Sequence, residues 1–109
     1  MPKAGDVVTA DFPGAMGVKR RPAIVVSTDV YHTHRPDVII CLVTSQVAAA
    51  TAPTDYVLRD WAAAGLHCPS AFRSFTATVP VAAIKNIGRL SDHDWQEVRT
   101  RLGLAVAVA

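Results

Sequence analysis

Three basic residues in a row, Lys19, Arg20 and Arg21, run directly into Pro22 and the β-branched stretch Ala23–Ser27. An arginine is permanently charged and presents a planar fork of donors that fits phosphate or carboxylate oxygens. A following proline biases the preceding backbone to extended geometry, so Arg21 is aimed rather than floppy. The same triplet also suits a solvated loop rim with no task. A second polar group follows the most apolar run of the chain: Val38–Val43 gives way abruptly to Thr44, Ser45 and Gln46. The end of a buried strand is where a site at a sheet edge would place hydroxyl donors. An arginine-and-hydroxyl cluster of this kind suits an anionic substrate. His32 and His34, two apart in a polar stretch, suit proton transfer or metal binding, and equally plain solvation.

Other chemistries find no support. The chain has no Gly-X-Ser-X-Gly elbow, no phosphate-binding loop, no paired carboxylates on a common face and no dinucleotide fingerprint. Cys41 and Cys68 form no close metal-ligand pair, and Cys68, although it follows His67, has no second Cys or His at a zinc-like spacing. No metal or other cofactor is therefore expected, and Cys41 reads as a small buried hydrophobe. Met1–Asp6 lacks the apolar core of a signal peptide, and no apolar run approaches the roughly 20 residues that span a bilayer. The expected setting is cytoplasmic and reducing, without membrane insertion. A net charge of +2 permits RNA or an acidic partner without demanding either.

The elements that must position these groups follow from periodicity. A chain of 109 residues, half of them hydrophobic, suits one folded domain over 1–109 with a modest core. Gly5–Phe12 alternates Val8, Ala10 and Phe12 against Val7, Thr9 and Asp11, the period of a half-buried strand. Breakers over Pro13–Val18 predict a loop leading through the basic triplet to a second strand, Ala23–Ser27, paired antiparallel with the first. Val38–Ser45, apolar on both faces, reads as a central strand. Val47–Pro53 reads as a connector and Thr54–Leu58 as a short strand. Asp60–Gly65 reads as one or two helical turns with Asp60 as N-cap and Gly65 as terminator. Alternation resumes over Ala71–Val79, where Arg73 and Phe75 share one face and Phe72 and Ser74 the other. Pro80 interrupts before a small strand at Ala83–Ile87. Ser91 then caps a helix with Asp92 and Asp94 in its first turn, Trp95, Val98 and Leu102 on its apolar stripe, and Gly103 as its end. The tail Leu104–Ala109 is apolar and suits packing on a partner subunit.

The order of these pieces carries a resemblance. Gly5-Asp6-Val7-Val8, then Arg21-Pro22-Ala23-Ile24-Val25-Val26-Ser27, then Val43-Thr44-Ser45-Gln46, then Gly65-Leu66 with Ser70 and Arg73, then Ile87-Gly88-Arg89-Leu90-Ser91 before a helix resembles the MazF/PemK family of toxin endoribonucleases. The likeness covers nearly the whole chain. It implies a mainly β fold with a C-terminal helix, a small CcdB/PemK-like (SH3-like) antiparallel barrel. It also implies a homodimer, metal-independent cleavage of single-stranded RNA, and a cognate MazE-like antitoxin that lies across the dimer and covers the active site.

Carried over position by position, the resemblance makes Arg21 and Thr44 the catalytic pair and sets Arg73 near the scissile phosphate; beside these, Lys19 and Arg20 suit flanking phosphates, and Ser45, Gln46 and Phe75 are further candidate RNA-binding residues. Arg21 suits a general acid and, outside unusual surroundings, makes a poor base, because arginine stays protonated at any useful pH; His32 or His34 would serve as base if its loop folds over the site. The chain departs from the pattern at Phe75, where some members carry an aspartate beside the arginine matched by Arg73; Phe75 suits either a base stack or a core position. A binding module, such as a CcdB-like topoisomerase-binding toxin or a relative without cleavage, shares the fold. The retained Arg21 and Thr44 favour the nuclease, as does an ending in Val106-Ala107-Val108-Ala109 where a terminal tryptophan would be expected of a gyrase poison.

Overall fold

The computed structural model describes residues 1–14 and 17–108. Six strands, β1 (Asp6–Gly14), β2 (Gly17–Val25), β3 (Asp37–Thr44), β4 (Tyr56–Val57), β5 (Ala71–Pro80) and β6 (Lys85–Arg89), are joined by a short helix α1 (Asp29–His34) and followed by a long one, α2 (Asp92–Ala105). The strands form a single curled antiparallel sheet in the order β4-β5-β3-β2-β1-β6. The mainly β fold with one C-terminal helix is as expected, and β3 is an interior strand as its double-sided apolarity demands.

Both faces of the sheet are buried, which is why neighbouring residues such as Val7 and Val8 are equally inaccessible. One core joins Val7, Ile24, Cys41, Val43 and Phe72 to Val98 of α2, with Trp95 and Leu102 packed against it. The other, Val8, Ala10, Phe12, Ala23, Val25, Val38 and Ile40, consists of strand residues alone and is enclosed by the curl of the sheet. Cys41 is fully buried and desolvation pushes its thiol pKa up, in keeping with a packing role.

Several expectations need correction. Of the loop expected over Pro13–Val18, Ala15 and Met16 lie outside the described residues, and the flanking residues are already strand, with Pro13 paired to Val18 and Gly14 to Gly17. The basic triplet therefore lies within β2, opposite Ala10, Asp11 and Phe12, rather than in the loop that precedes it. The polar stretch around His32 is not a loop but α1, capped by the Thr28 hydroxyl, which accepts from the Tyr31 N–H. Asp60 starts no helix: residues 61–65 form turns, although Gly65 does end them at φ +92°. Gly103 does not end α2, which continues to Ala105 and closes with the Val106 N–H donating to the Leu102 carbonyl. Glycine ends a helix only where a left-handed residue is needed, and Gly103 is not one. Ser91 is the N-cap as expected, its hydroxyl accepting from the Asp94 N–H.

Candidate active site

The cleft begins where β2 and β3 stop pairing. Their ladder runs from Val25↔Ile40 to Ala23↔Leu42 and ends there. The next residue of β2 is Pro22, which has no N–H to donate. Two residues beyond the last pair on each strand stand Arg21 and Thr44. They line a cleft of about 380 Å³ together with Arg20, Ser45, His67 and Cys68, over a floor that includes Val43 and Leu66. The proline that aims Arg21 thus also ends the ladder and leaves the two strand ends free to flank a ligand.

The two arginines of the cleft are not equivalent. Arg20 is held on the surface of the β1–β2 hairpin, its Nε donating to the Thr9 hydroxyl at 3.1 Å and its Nη1 to Asp11 at 3.3 Å. Arg21 points its half-buried side chain into the cleft with no hydrogen bond or ion pair among the described residues. A cation in a cleft without a carboxylate partner is available to an incoming anion. Across from it, the Thr44 hydroxyl oxygen accepts from the Gln46 N–H at 3.1 Å. That bond fixes the oxygen and leaves its hydrogen to donate outward.

The other expected site residues divide around this centre. Ser45 lies in the cleft, and Lys19 is exposed on β2 outside its lining. Gln46 and Arg73 share an adjoining depression with Thr44 and Ala49. Arg73 also borders a further shallow depression with Phe75, Ser74 and Asp55. Phe75 is 56% exposed and so is not a core aromatic. The pairing of β5 with β3 explains this: Cys41 pairs with Thr76 and Val43 with Phe72, so residues 73–75 bulge out of the ladder. Arg73 therefore links the cleft to an exposed aromatic ring along one surface.

His32 and His34 are not brought to this cleft. His32 is buried beneath α1, its Nε2 2.6 Å from the Ser27 hydroxyl, which also accepts from the Ile39 N–H at 3.0 Å. Ile39 precedes Thr44 by five residues of strand, roughly 17 Å at the usual rise. His34 is exposed, its Nδ1 2.9 Å from the Val30 carbonyl. The reversal follows from α1: winding the segment turned one histidine inward and the other outward, both at the far end of β3.

The histidine that does line the cleft is His67, on the loop before β5, with Cys68 beside it. Sequence reasoning weighed this pair only for zinc. Its nearness to Thr44 depends on the pairing of Thr44 with Ala71, a contact that no local pattern announces. Among the described residues no group of three or more His, Cys, Asp or Glu is placed to hold a metal ion. No described helix is long and apolar enough to cross a membrane.

Comparison with known proteins agrees with this architecture. The chain is similar to a mycobacterial endoribonuclease in complex with its cognate antitoxin, with a TM-score of 0.80 at 18% identity over 100% of both chains. It is also similar to a chain of the MazE-MazF structure (Form-II) from Deinococcus radiodurans, with a TM-score of 0.74 at 23% identity over 99% of this chain and 97% of that one. A third likeness is to the Mycobacterium tuberculosis toxin MazF-mt6, with a TM-score of 0.74 at 24% identity over 92% and 94%. At these identities the likenesses establish the fold. No curated protein sequence matches the chain significantly. The model of PemK-like, MazF-like toxins of type II toxin-antitoxin systems matches residues 3–106, nearly the whole chain, and the chain belongs to that family.

Proposed function

We propose that this toxin is an endoribonuclease that cleaves single-stranded RNA without a metal, by attack of a ribose 2′-hydroxyl on the adjacent phosphate. The observation that carries this reading is that the Arg21 guanidinium, without a hydrogen bond or ion pair among the described residues, lines one cleft with the Thr44 hydroxyl at the opened end of the sheet. As the 2′-oxygen bonds to phosphorus, negative charge grows on the non-bridging oxygens. A guanidinium and a hydroxyl fixed beside them stabilise that charge more than the ground state, and both are held on strands, so little reorganisation is needed. Ser45 adds a second hydroxyl at the same rim. Gln46, Arg73 and Phe75 extend the surface for the flanking nucleotides, with Phe75 stacking on an unpaired base and Arg73 holding a phosphate. Lys19 and Arg20 hold phosphates on the β2 side; Arg20 does so from within its pair with Asp11.

The reading includes an antitoxin partner, supported by the family and by the antitoxin present in two of the similar structures. It also includes a cytoplasmic homodimer. The exposed Leu104, Val106 and Val108, beside an apolar groove of about 670 Å³ bordered by Val26, Ile39, Trp95 and Leu102, support such pairing.

The experiment is to incubate the purified chain with a long, weakly structured RNA in excess EDTA, beside Arg21→Ala, and to determine the chemistry of the fragment ends. The expected result is defined cuts with 2′,3′-cyclic phosphate and 5′-hydroxyl termini that the variant fails to make. Absence of cleavage by folded, antitoxin-free protein on varied RNAs would overturn the reading.

A further inference from the structure

We propose that His67 is the proton acceptor of this cleft, the group that takes the proton from the attacking 2′-hydroxyl. This rests on the nuclease reading above and adds to it the step that Arg21 and Thr44 leave unfilled. Arginine stays protonated and so cannot accept a proton. The Thr44 hydroxyl accepts from the Gln46 N–H and, as an uncharged alcohol of very low basicity, serves as a donor. Phe75 has no proton chemistry, and the buried His32 and the helix-bound His34 sit at the other end of β3. Two titratable groups besides the arginines remain in the cleft lining, the imidazole of His67 and the thiol of Cys68. Histidine is the side chain that changes charge between about pH 5 and 8 and so can both accept and release a proton at neutral pH. A free thiol is mostly protonated there.

The fold holds this histidine in place. On one side, Gly65 adopts φ +92°, and a Cβ there would overlap the Ile87 carbonyl oxygen; a Cβ at Gly88 would likewise overlap the Ala64 carbonyl oxygen. The loop therefore lies backbone against backbone on β6, a fit that only glycine at both positions permits. Leu66 is buried in the core next to it. On the other side, the buried Ser70 donates its hydroxyl to the Cys68 carbonyl at 2.8 Å, and its own carbonyl accepts from the Leu58 N–H at 2.9 Å. Between these anchors the His67 side chain is exposed to the cleft and makes no hydrogen bond or ion pair among the described residues. A rigid backbone carrying a side chain with no structural partner is the arrangement a reacting group requires.

The step balances within the cleft. The neutral imidazole takes the 2′-hydroxyl proton as the 2′-oxygen bonds to phosphorus and the bond from phosphorus to the 5′-oxygen breaks. The departing 5′-oxygen takes a proton from solvent water at the open mouth, and the hydroxide so formed takes the proton from the imidazolium. The other ionisable groups lining the cleft with His67 are the permanently charged Arg20 and Arg21 and the thiol of Cys68.

The test measures kcat and KM for cleavage of an unstructured RNA in EDTA from pH 5 to 9, for the wild-type chain, His67→Ala and His67→Gln. The exposure of His67 predicts unchanged melting temperatures, which are checked first. The wild-type kcat should rise with pH along an acidic limb. Both variants should lose about 100-fold or more in kcat with KM little changed, and the limb should vanish. Added imidazole should restore part of the rate of His67→Ala and none of the rate of His67→Gln, which has no room for it. A variant that keeps the wild-type kcat and its acidic limb, or one whose loss lies wholly in KM, overturns the role of His67 while leaving the nuclease reading intact. A wild-type chain that cleaves no RNA overturns both.

Discussion

Two polar clusters lie at different parts of this molecule, and they are built on opposite principles. At the start of α2, Asp94 is fully buried, and its carboxylate accepts from the Tyr56 hydroxyl at 2.7 Å, the Arg59 N–H at 3.1 Å and the Asp60 N–H at 2.8 Å. Its neighbours are occupied in turn, since Ser91 caps its N–H and donates to Asp60, which also pairs with Arg59. In the cleft, Arg21 and His67 have no such partners among the described residues and Thr44 keeps a donor free. A buried polar group left unpaired is costly, so a cluster that serves stability closes on itself. A cluster that serves a ligand is left open, and the partner it lacks indicates the chemistry of that ligand.

The largest effect expected from breaking this contrast is at Asp94. Asp94→Ala strands two backbone N–H groups and the Tyr56 hydroxyl beside the core, at a cost on the order of 4 kcal/mol, a large share of the stability of a domain this size. Denaturant unfolding measures it; a loss under about 1 kcal/mol would show that water replaces the carboxylate. Asp94→Asn, which keeps an acceptor, should fall between. Arg21→Ala is the mirror image. It should slow cleavage by about two to three orders of magnitude, equivalent to about 2.7–4 kcal/mol in the transition state, while unfolding stays as in the wild type. An Arg21 variant that loses stability in step with activity would mean that the cleft is not the open cluster described.

The sequence made the second cluster far easier to read than the first. Arg21 and Thr44 are each marked by a local break in pattern, a proline in one case and the end of an apolar run in the other, and the strands carrying them follow from period-two alternation. Asp94 carried a local signal too, as an acid in a helix's first turn, but its burial depends on partners 34 to 38 residues away. His32 failed in the same way, since only the return of β3 beside Ser27 makes a pocket for its ring. Phe75 was assigned a face by alternation, and the bulge in β5 broke that alternation at this point. His67 carries no mark of its own; it joins the cleft lining only when the β3–β5 ladder brings residues 67 and 68 to the end of β3. Local rules thus recover elements and their ends, and register decides which side chains meet.

The two regions are joined through the turn at Gly65. Residues 60–66 leave the Asp94 cluster and arrive at the cleft, held on β6 by the close approach of Ala64 and Gly88. Gly88→Ala pushes a methyl group into the Ala64 carbonyl oxygen, so backbone must move, at a cost of about 1–3 kcal/mol. Because the displaced segment carries His67, cleavage should fall by more than the lost stability explains, measured on samples matched for folded fraction. An activity loss no greater than the unfolded fraction would show that the loop tolerates displacement and does not position the cleft.

The smallest effect is the most selective. Burial, and then the hydrogen bond to Asp94 and its charge, push the Tyr56 phenol well above its ordinary pKa. An unfolded tyrosine ionises near pH 10, whereas the folded one keeps its proton. Above about pH 10 the native state thus binds more protons than the unfolded state, so stability should fall as pH rises; below that pH the contribution is fully present. Tyr56→Phe removes the hydroxyl but keeps the ring, over which the Arg101 guanidinium sits 5.2 Å from the centroid. It should cost about 1.5 kcal/mol at neutral pH, the value of a hydrogen bond to a charged acceptor. Its unfolding free energy should then decline less steeply than that of the wild type between about pH 9 and 11. Parallel curves across that range would mean that the phenol is not held by Asp94, and the closed cluster would lose one of its three donors to the carboxylate.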